Sequence, residues 1–438
     1  MEQRDSIMQF RIKNNLNIFL RMIFKERTKS VPITKQMVWE AYKLVRKNKG
    51  GPGIDNQTLE DLEENKSKEL YKLWNRLSSG SYFPTNIKRV EIPKGDGKIR
   101  PLGIPTVCDR IAQQVIKTHL EPRLEAEFMN SSYGYRPKKS AHQAVREVRK
   151  QVRKTAWVID LDIKEFFENV EHKLLYLSLE KHVKEGWIKM YLKRWLEAPI
   201  QMKDGTLKYP NGKGTPQGGV ISPLLSNLYL HYVIDKWMAI NFPNIKLVRY
   251  ADDMIVHCQT ELQAKELLGV IKERFKSCGL EVHPEKTKIV YCKKEGRNLQ
   301  GNQVQFDFLG FSFRPMTMRL KKGGHFLQYD CMMSRKSKKR ILSDLRTMQL
   351  HRKTNSNLQD LANRLNPKIR GWINYYGKIK MKSLKPVFYY LHHRLVKWAM
   401  KRYKRFKGSR VLAVNWLRKM TTAFPNLFYH WNLGYQLT

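Results

Sequence analysis

Residues 246–258 read KLVRYADDMIVHC, and the interpretation of this stretch decides the fold. Leu247, Val248, Met254, Ile255 and Val256 favour strands and flank the polar pair Asp252 and Asp253. The pattern is that of two short strands joined at two adjacent carboxylates. Neighbouring side chains in a regular strand point to opposite faces. At a tight turn they can converge, and the like charges then repel unless a cation sits between them. An aspartate pair in a turn is by itself most often a solvated loop. It becomes informative only if a third carboxylate lies on a neighbouring strand.

Residues 157–170, WVIDLDIKEFFENV, supply that carboxylate. Trp157, Val158, Ile159, Leu161 and Ile163 form a strand-like run, with Asp160 and Asp162 on one face of it. A strand this apolar should be buried, and buried carboxylates need partners or a metal.

Composition narrows the partners. The chain has 438 residues, 41% of them hydrophobic, enough for a sizeable core in two or three domains. Eighty-three Lys and Arg against 39 Asp and Glu give a formal charge of +44. Such a charge calls for a polyanion, nucleic acid first among them. An anionic membrane surface is the alternative, but no run is apolar enough to span a bilayer, so no membrane partner is expected. The first residues, MEQRDSIMQFRIKNN, lack the apolar core of a signal peptide and read as the protein's own first segment. Cys108, Cys258, Cys278, Cys292 and Cys331 form no C-x-x-C pair, which argues against a zinc site and a disulfide framework. A reducing, cytoplasmic setting is the natural expectation.

Taken in order, residues 1–48 suggest a helical extension, ended by the glycines and proline of KNKGGPGIDN (47–56). Residues 88–105, KRVEIPKGDGKIRPLGIP, alternate as a hairpin carrying Lys88, Lys94, Lys98 and Arg100. A basic hairpin suits a triphosphate clamp as well as it suits a solvated surface. Helices are expected over 109–152, interrupted at 133–137, and over 261–278. The Gly/Pro-rich 213–225 should let backbone approach a ligand, with Gln217 and Ser222 as neutral hydrogen-bonding groups. LEVH (280–283) reads as a strand, and FDFLGFSF (306–313) as a strand whose Gly310 admits another backbone. A domain boundary is expected between about 315 and 332. After Asp330 the only acidic residues are Asp344 and Asp360, while basic residues continue among Trp372, Tyr375, Tyr376, Tyr389, Tyr390, Trp398, Tyr403, Trp416 and Trp431. Basic helices bearing aromatics suit phosphate contact and base stacking, or a helical bundle with an aromatic core.

Read together, these stretches resemble the group II intron-encoded reverse transcriptases, or maturases. The resemblance rests on GIDN (53–56), IPKGDGKIRPLGIPTVCDRIAQQ (92–114), SYGYRP (132–137), DIKEFFENVEH (162–172), GTPQGGVISPLLSN (214–227), RYADD (249–253), GLEVHPEKTK (279–288), FLGF (308–311) and IRGWINYY (369–376). It implies an α+β right-hand polymerase, with fingers and a palm with an antiparallel sheet over 49–315. A helical thumb or maturase domain would follow over 316–415, then a tail over 416–438, read as a remnant DNA-binding segment. Asp162, Asp252 and Asp253 match the family's metal-binding, catalytic carboxylates, with Asp160 the runner-up for the first. The implied cofactor is Mg²⁺, for which Mn²⁺ can substitute. Lys88, Lys94, Arg100, Phe167, Gln217 and Lys286 match nucleotide-binding positions. Phe167 would exclude a 2′-hydroxyl, and Lys286 would lie near the phosphates. Phe308, Leu309, Gly310 and Phe311 resemble the family's primer-holding strand turn, and with Trp372 they match primer and template contacts. The implied partners are the intron RNA, an RNA template with a DNA primer, deoxynucleoside triphosphates and target DNA.

The chemistry itself asks for these residue types. Joining a 3′-hydroxyl to an α-phosphorus is an in-line phosphoryl transfer. Two divalent ions roughly 4 Å apart stabilise the attacking and leaving oxygens. Hard Mg²⁺ prefers carboxylate oxygens to thiolates. The sequence departs from many relatives in having no cysteine after Cys331, so an HNH-type endonuclease is not expected. Two other readings stand beside the polymerase: a non-catalytic RNA-binding splicing maturase, and a domesticated reverse transcriptase in defence or repair.

Overall fold

The computed structural model describes residues 31–93, 99–296, 303–320 and 323–436. The expected extension over 1–48 falls largely outside them. Its described part is helix α1 (Lys35–Lys47), capped by the Thr34 side chain. Helices α2 (Leu59–Glu64), α3 (Lys66–Ser78) and α4 (Val107–Glu127) share its core. Between α3 and α4 lies the hairpin β1 (Ile87–Pro93) and β2 (Ile99–Ile104), antiparallel as its alternation foretold. The short strands β4 (Ile200–Gln201) and β5 (Leu207–Lys208) extend this sheet, in the order β2-β1-β4-β5. Helix α5 (Ala141–Gln151) and strand β3 (Trp157–Leu161) follow α4.

The central sheet has the order β6-β7-β3-β8, all antiparallel. It contains β6 (Lys246–Tyr250), β7 (Asp253–Cys258) and β8 (Lys288–Tyr291). Apolar residues on both faces give it two cores, as a sheet buried on both sides requires. Trp157, Ile159, Leu161, Met254 and Val256 face one core, with Ala264, Leu267, Ile271 and Phe275 of the helix 261–277. Val158, Val248, Ile255 and Val290 face the other, under Ala144, Val145 and Val148 of α5.

That second core continues into the rest of the chain. Strands β9 (Phe306–Phe308), β10 (Phe311–Arg319) and β11 (His325–Met333) form a three-stranded sheet on it. The helices 335–347, 358–372, 385–402 and 410–423 pack there too. The boundary expected between about 315 and 332 thus falls inside the β10–β11 hairpin.

Two local expectations are corrected. Residues 306–313 are not one strand: Leu309 (φ 49°) and Gly310 (φ 79°) make a two-residue turn. Positive φ at both central positions suits the right-handed twist of a tight hairpin. LEVH contributes only the bridge Val282–Ile163, because Pro284 has no N–H to extend a ladder, and the strand starts at Lys288. Most of the C-terminal aromatics are core. Trp398, Trp431 and Tyr376 are buried, whereas Tyr389 is exposed.

Candidate active site

Asp252 and Asp253 sit at the turn between β6 and β7, as the sequence suggested. Tyr250 pairs with Asp253, and Ala251 takes a left-handed φ of 56°. A non-glycine residue in that region is strained, so the surroundings must hold it there. They do so through Arg249, which is fully buried. Its Nε and Nη2 donate to both carboxylate oxygens of Asp235 at 2.7 and 2.5 Å. Its Nη1 donates to the Asn227 side chain and to the carbonyl of Ala251 itself, both at 3.0 Å. Asn227 donates to the carbonyl of Gly134 at 2.7 Å. A Cβ on Gly134 would stand 2.4 Å from the Ala251 nitrogen, so only glycine lets SYGYRP lie against the turn.

None of Arg249, Asp235, Asn227 or Gly134 was identified from sequence as part of the site. Arg249 could have been: a charged residue between Val248 and Tyr250 in a buried strand needs a counter-charge. Its partner, 14 residues earlier in a helical stretch, carries no such mark.

On β3, Asp160 pairs with Ile255 of β7 and Lys288 of β8. Asp162 lies just past the strand end, and its carboxylate accepts from Lys286 Nζ at 2.6 Å. The acidic groups feel one another. Desolvation first, then Asp252 and Asp162, push Asp253 up to about 7 although its side chain reaches the cleft. Desolvation, then Asp253 and Asp162, push Asp160 up to about 8. Asp252 is raised too, by desolvation above all, with Arg100 and Lys286 opposing. Among the described residues no three candidate ligands stand close enough to grip a metal as they are. The donor set nevertheless fits a hard divalent cation. Its members are carboxylates, they destabilise one another's charge, and the Lys286 ammonium already neutralises Asp162.

The basic hairpin reaches the same cleft. Arg100 Nε donates to Gln217 Oε1 at 3.1 Å, and Lys88 Nζ donates to Asn56 at 3.1 Å. Lys94 lies outside the described residues. The loop 214–219 is strung between neighbours. Thr215 donates its N–H to the carbonyl of Phe167, Gly103 donates to that of Gln217, and Gln113 accepts from Val220. Phe167 and Gln217 line one pocket of about 970 Å³ with Arg89, Tyr209 and Lys213.

A second, larger groove of about 2440 Å³ is lined by Leu309, Gly310, Trp372 and the basic residues Arg335, Lys336, Lys339 and Arg340. Phe308 and Phe311 do not reach it. Both are buried, and Phe311 packs on Tyr375 and Tyr376, whose rings brace the turn from below. Tyr375 Oη donates to the Leu309 carbonyl at 2.9 Å.

An antiparallel sheet with aspartates at the ends of its strands, a basic hairpin and a helical C-terminal region fit a right-hand polymerase, and the family match makes that class plain. Residues 92–313 match the family described as reverse transcriptase (RNA-dependent DNA polymerase), and residues 338–416 match the group II intron maturase-specific domain. The chain belongs to the group II intron-encoded reverse transcriptase/maturase family. It is 34% identical to the protein YkfC of Escherichia coli over 292 residues, 57% of this chain and 75% of YkfC. It is 33% identical to the group II intron-encoded protein LtrA of Lactococcus lactis over 201 residues, which are 45% of this chain and 33% of LtrA. The apo telomerase of Candida tropicalis aligns with 86% of this chain and 73% of its own at 14% identity and a TM-score of 0.45.

Proposed function

We propose that the chain is an active RNA-directed DNA polymerase that also binds its intron RNA, aiding splicing and retrohoming. The observation that carries this reading is the aspartate cluster, with Asp252 and Asp253 on a turn held by a buried arginine and Asp162 beside it. Asp162, Asp252 and Asp253 would hold the divalent cations, which when bound stabilise the attacking and leaving oxygens. Arg100 and Lys88 would take the triphosphate. Phe167 would pack against the sugar and exclude a 2′-hydroxyl, with Gln217 beside it. Lys286, released from Asp162, would stand ready to protonate the departing pyrophosphate. Leu309, Gly310 and Trp372 would contact primer and template in the basic groove.

No helix among the described residues is long and apolar enough to cross a membrane. The proposal places the protein in the cytoplasm, at the nucleoid when engaged on target DNA.

One observation favours the non-catalytic maturase instead: Lys286 Nζ donates to Asp162 at 2.6 Å, and a cation would have to displace it. Primer extension on an RNA template with Mg²⁺ and deoxynucleotides decides between the two. The polymerase reading expects extension by the wild type and none by Asp252→Ala, with RNA binding retained. Tight RNA binding without extension by either chain would favour the maturase.

A further inference from the structure

The helix 335–347 buries one narrow stripe, Ser337, Ile341 and Leu345, and is basic on both flanks of it. One flank faces the groove assigned above to primer and template. The other faces a separate pocket of about 620 Å³ beneath the β10–β11 hairpin, where Arg314, Arg335 and Lys338 meet Ser312, Ser383 and Met332. Among the described residues no carboxylate lines it, although Asp307 lies behind Ser312.

Its polar groups are donors in search of an acceptor. Among the described residues, Arg314 Nε is buried without a partner, and its Nη2 donates to the Met332 thioether at 3.1 Å. Among the described residues no carboxylate forms an ion pair with Arg314, Arg335 or Lys338. The two serines are already committed, Ser312 donating to Asp307 and Ser383 to the Lys380 carbonyl at 2.7 Å. Arg314 stands opposite Asp330 in the β10–β11 register, but that carboxylate is already engaged by Arg149 and Lys380. A partly buried guanidinium whose neighbouring carboxylate is so shared is costly, and an oxyanion accepting from it would offset that cost.

We propose that this pocket holds one backbone phosphate of the bound nucleic acid, at a subsite separate from the primer groove and blind to sequence. The inference rests on the nucleic-acid-binding reading above. A phosphodiester is favoured over an acidic peptide because Arg335 lines both the pocket and the aromatic-walled groove, so one strand can serve the two.

The test is the salt dependence of binding to a single-stranded RNA by the full chain. Arg314→Gln/Lys338→Gln should make the log–log slope shallower by about 0.7, the increment for one phosphate on a single strand. Lys338→Gln alone, at a half-exposed position that should not threaten folding, should already do so in part. The control Lys272→Gln/Lys276→Gln removes two charges from the helix 261–277 and should leave the slope alone. Extension at saturating template should persist in all of these variants. An unchanged slope in the pocket variant, or an equal fall in the control, overturns the proposal. So does loss of poly-glutamate binding with the RNA slope intact, which would assign the pocket to an acidic protein. If the wild type fails to bind RNA at all, it is the reading of the whole protein that fails.

Discussion

Phe167 is buried to within 8% of full enclosure, packs on Phe166 with ring centroids 5.2 Å apart, and still lines the pocket it shares with Gln217. A ring held this firmly can discriminate by shape. Phe167→Ala should raise the incorporation of ribonucleotides relative to deoxynucleotides by roughly 10- to 100-fold, the range a lost apolar contact discriminates. Competitive incorporation assays would measure it, and unchanged selectivity would show that the gate lies elsewhere. Asp253 makes a different prediction. A carboxyl at about 7 in the fold and at its ordinary value in the unfolded chain binds more protons when folded. Its contribution is therefore lost as pH rises from the ordinary carboxylate range through about 7. Without metal, Asp253→Asn should melt higher than the wild type at alkaline pH, with the gap narrowing as pH falls. Added Mg²⁺ should close the gap by stabilising the wild type alone. At this scale the positions of the two aspartates of the turn, and of Asp162 just past β3, were legible, because apolar strand residues frame them. The role of Asp235 was not, because its pairing with Arg249 exists only in three dimensions.

At the scale of the element, the β6–β7 turn depends on what lies beneath it. Gly134→Ala would bring a methyl against backbone at 2.4 Å, so the turn must shift. A misplacement near 1 Å can cost about 100-fold in rate. Extension should fall by that order while RNA affinity barely changes, and an unimpaired variant would show that the turn adapts. At the β9–β10 turn the residues alone read as one strand, and only the family resemblance implied a turn. FDFLGFSF is apolar at nearly every position, so no polar residue marks the reversal, and the glycine's left-handed φ is its only trace. The C-terminal aromatics were ambiguous for a related reason: rings suited to stacking on bases are equally suited to stacking on one another. The structure resolves most of them to the second use, as with Trp398, Tyr403, Phe406 and Trp416. His430, isolated in the sequence, is buried against His392 with Nε2 atoms 3.0 Å apart, and desolvation keeps it well below the usual histidine range.

At the scale of the molecule, one buried carboxylate ties the regions together. Asp330 on β11 accepts from Arg149 of α5 at 2.5 and 3.0 Å and from Lys380 at 3.3 Å. Those three groups come from the layer behind the central sheet, the β10–β11 hairpin and the helical region. Breaking a buried pair costs roughly 3–5 kcal/mol, and here about 3 kcal/mol or less, because Arg149 and Lys380 retain some solvent. Asp330→Asn should lower the melting temperature accordingly, and an unchanged melting point would show that the hub is dispensable. The sequence showed the fold class and the order of its parts, because ordered motifs survive as words. It placed a boundary near 315–332 because composition shifts there, and in the structure that interval is the β10–β11 hairpin, which shares a core with the helices that follow.

That shared interior bears on any attempt to split this protein. A piece ending at 315 would leave part of β10 without β11 and uncover Val158, Val248, Ile255 and Val290. A piece beginning there would carry an open strand edge of its own. Each half would present a sticky, template-like border, the kind of surface through which chains aggregate. Expressed apart, the halves should be insoluble; expressed together, they should find each other along the very hairpin that was cut.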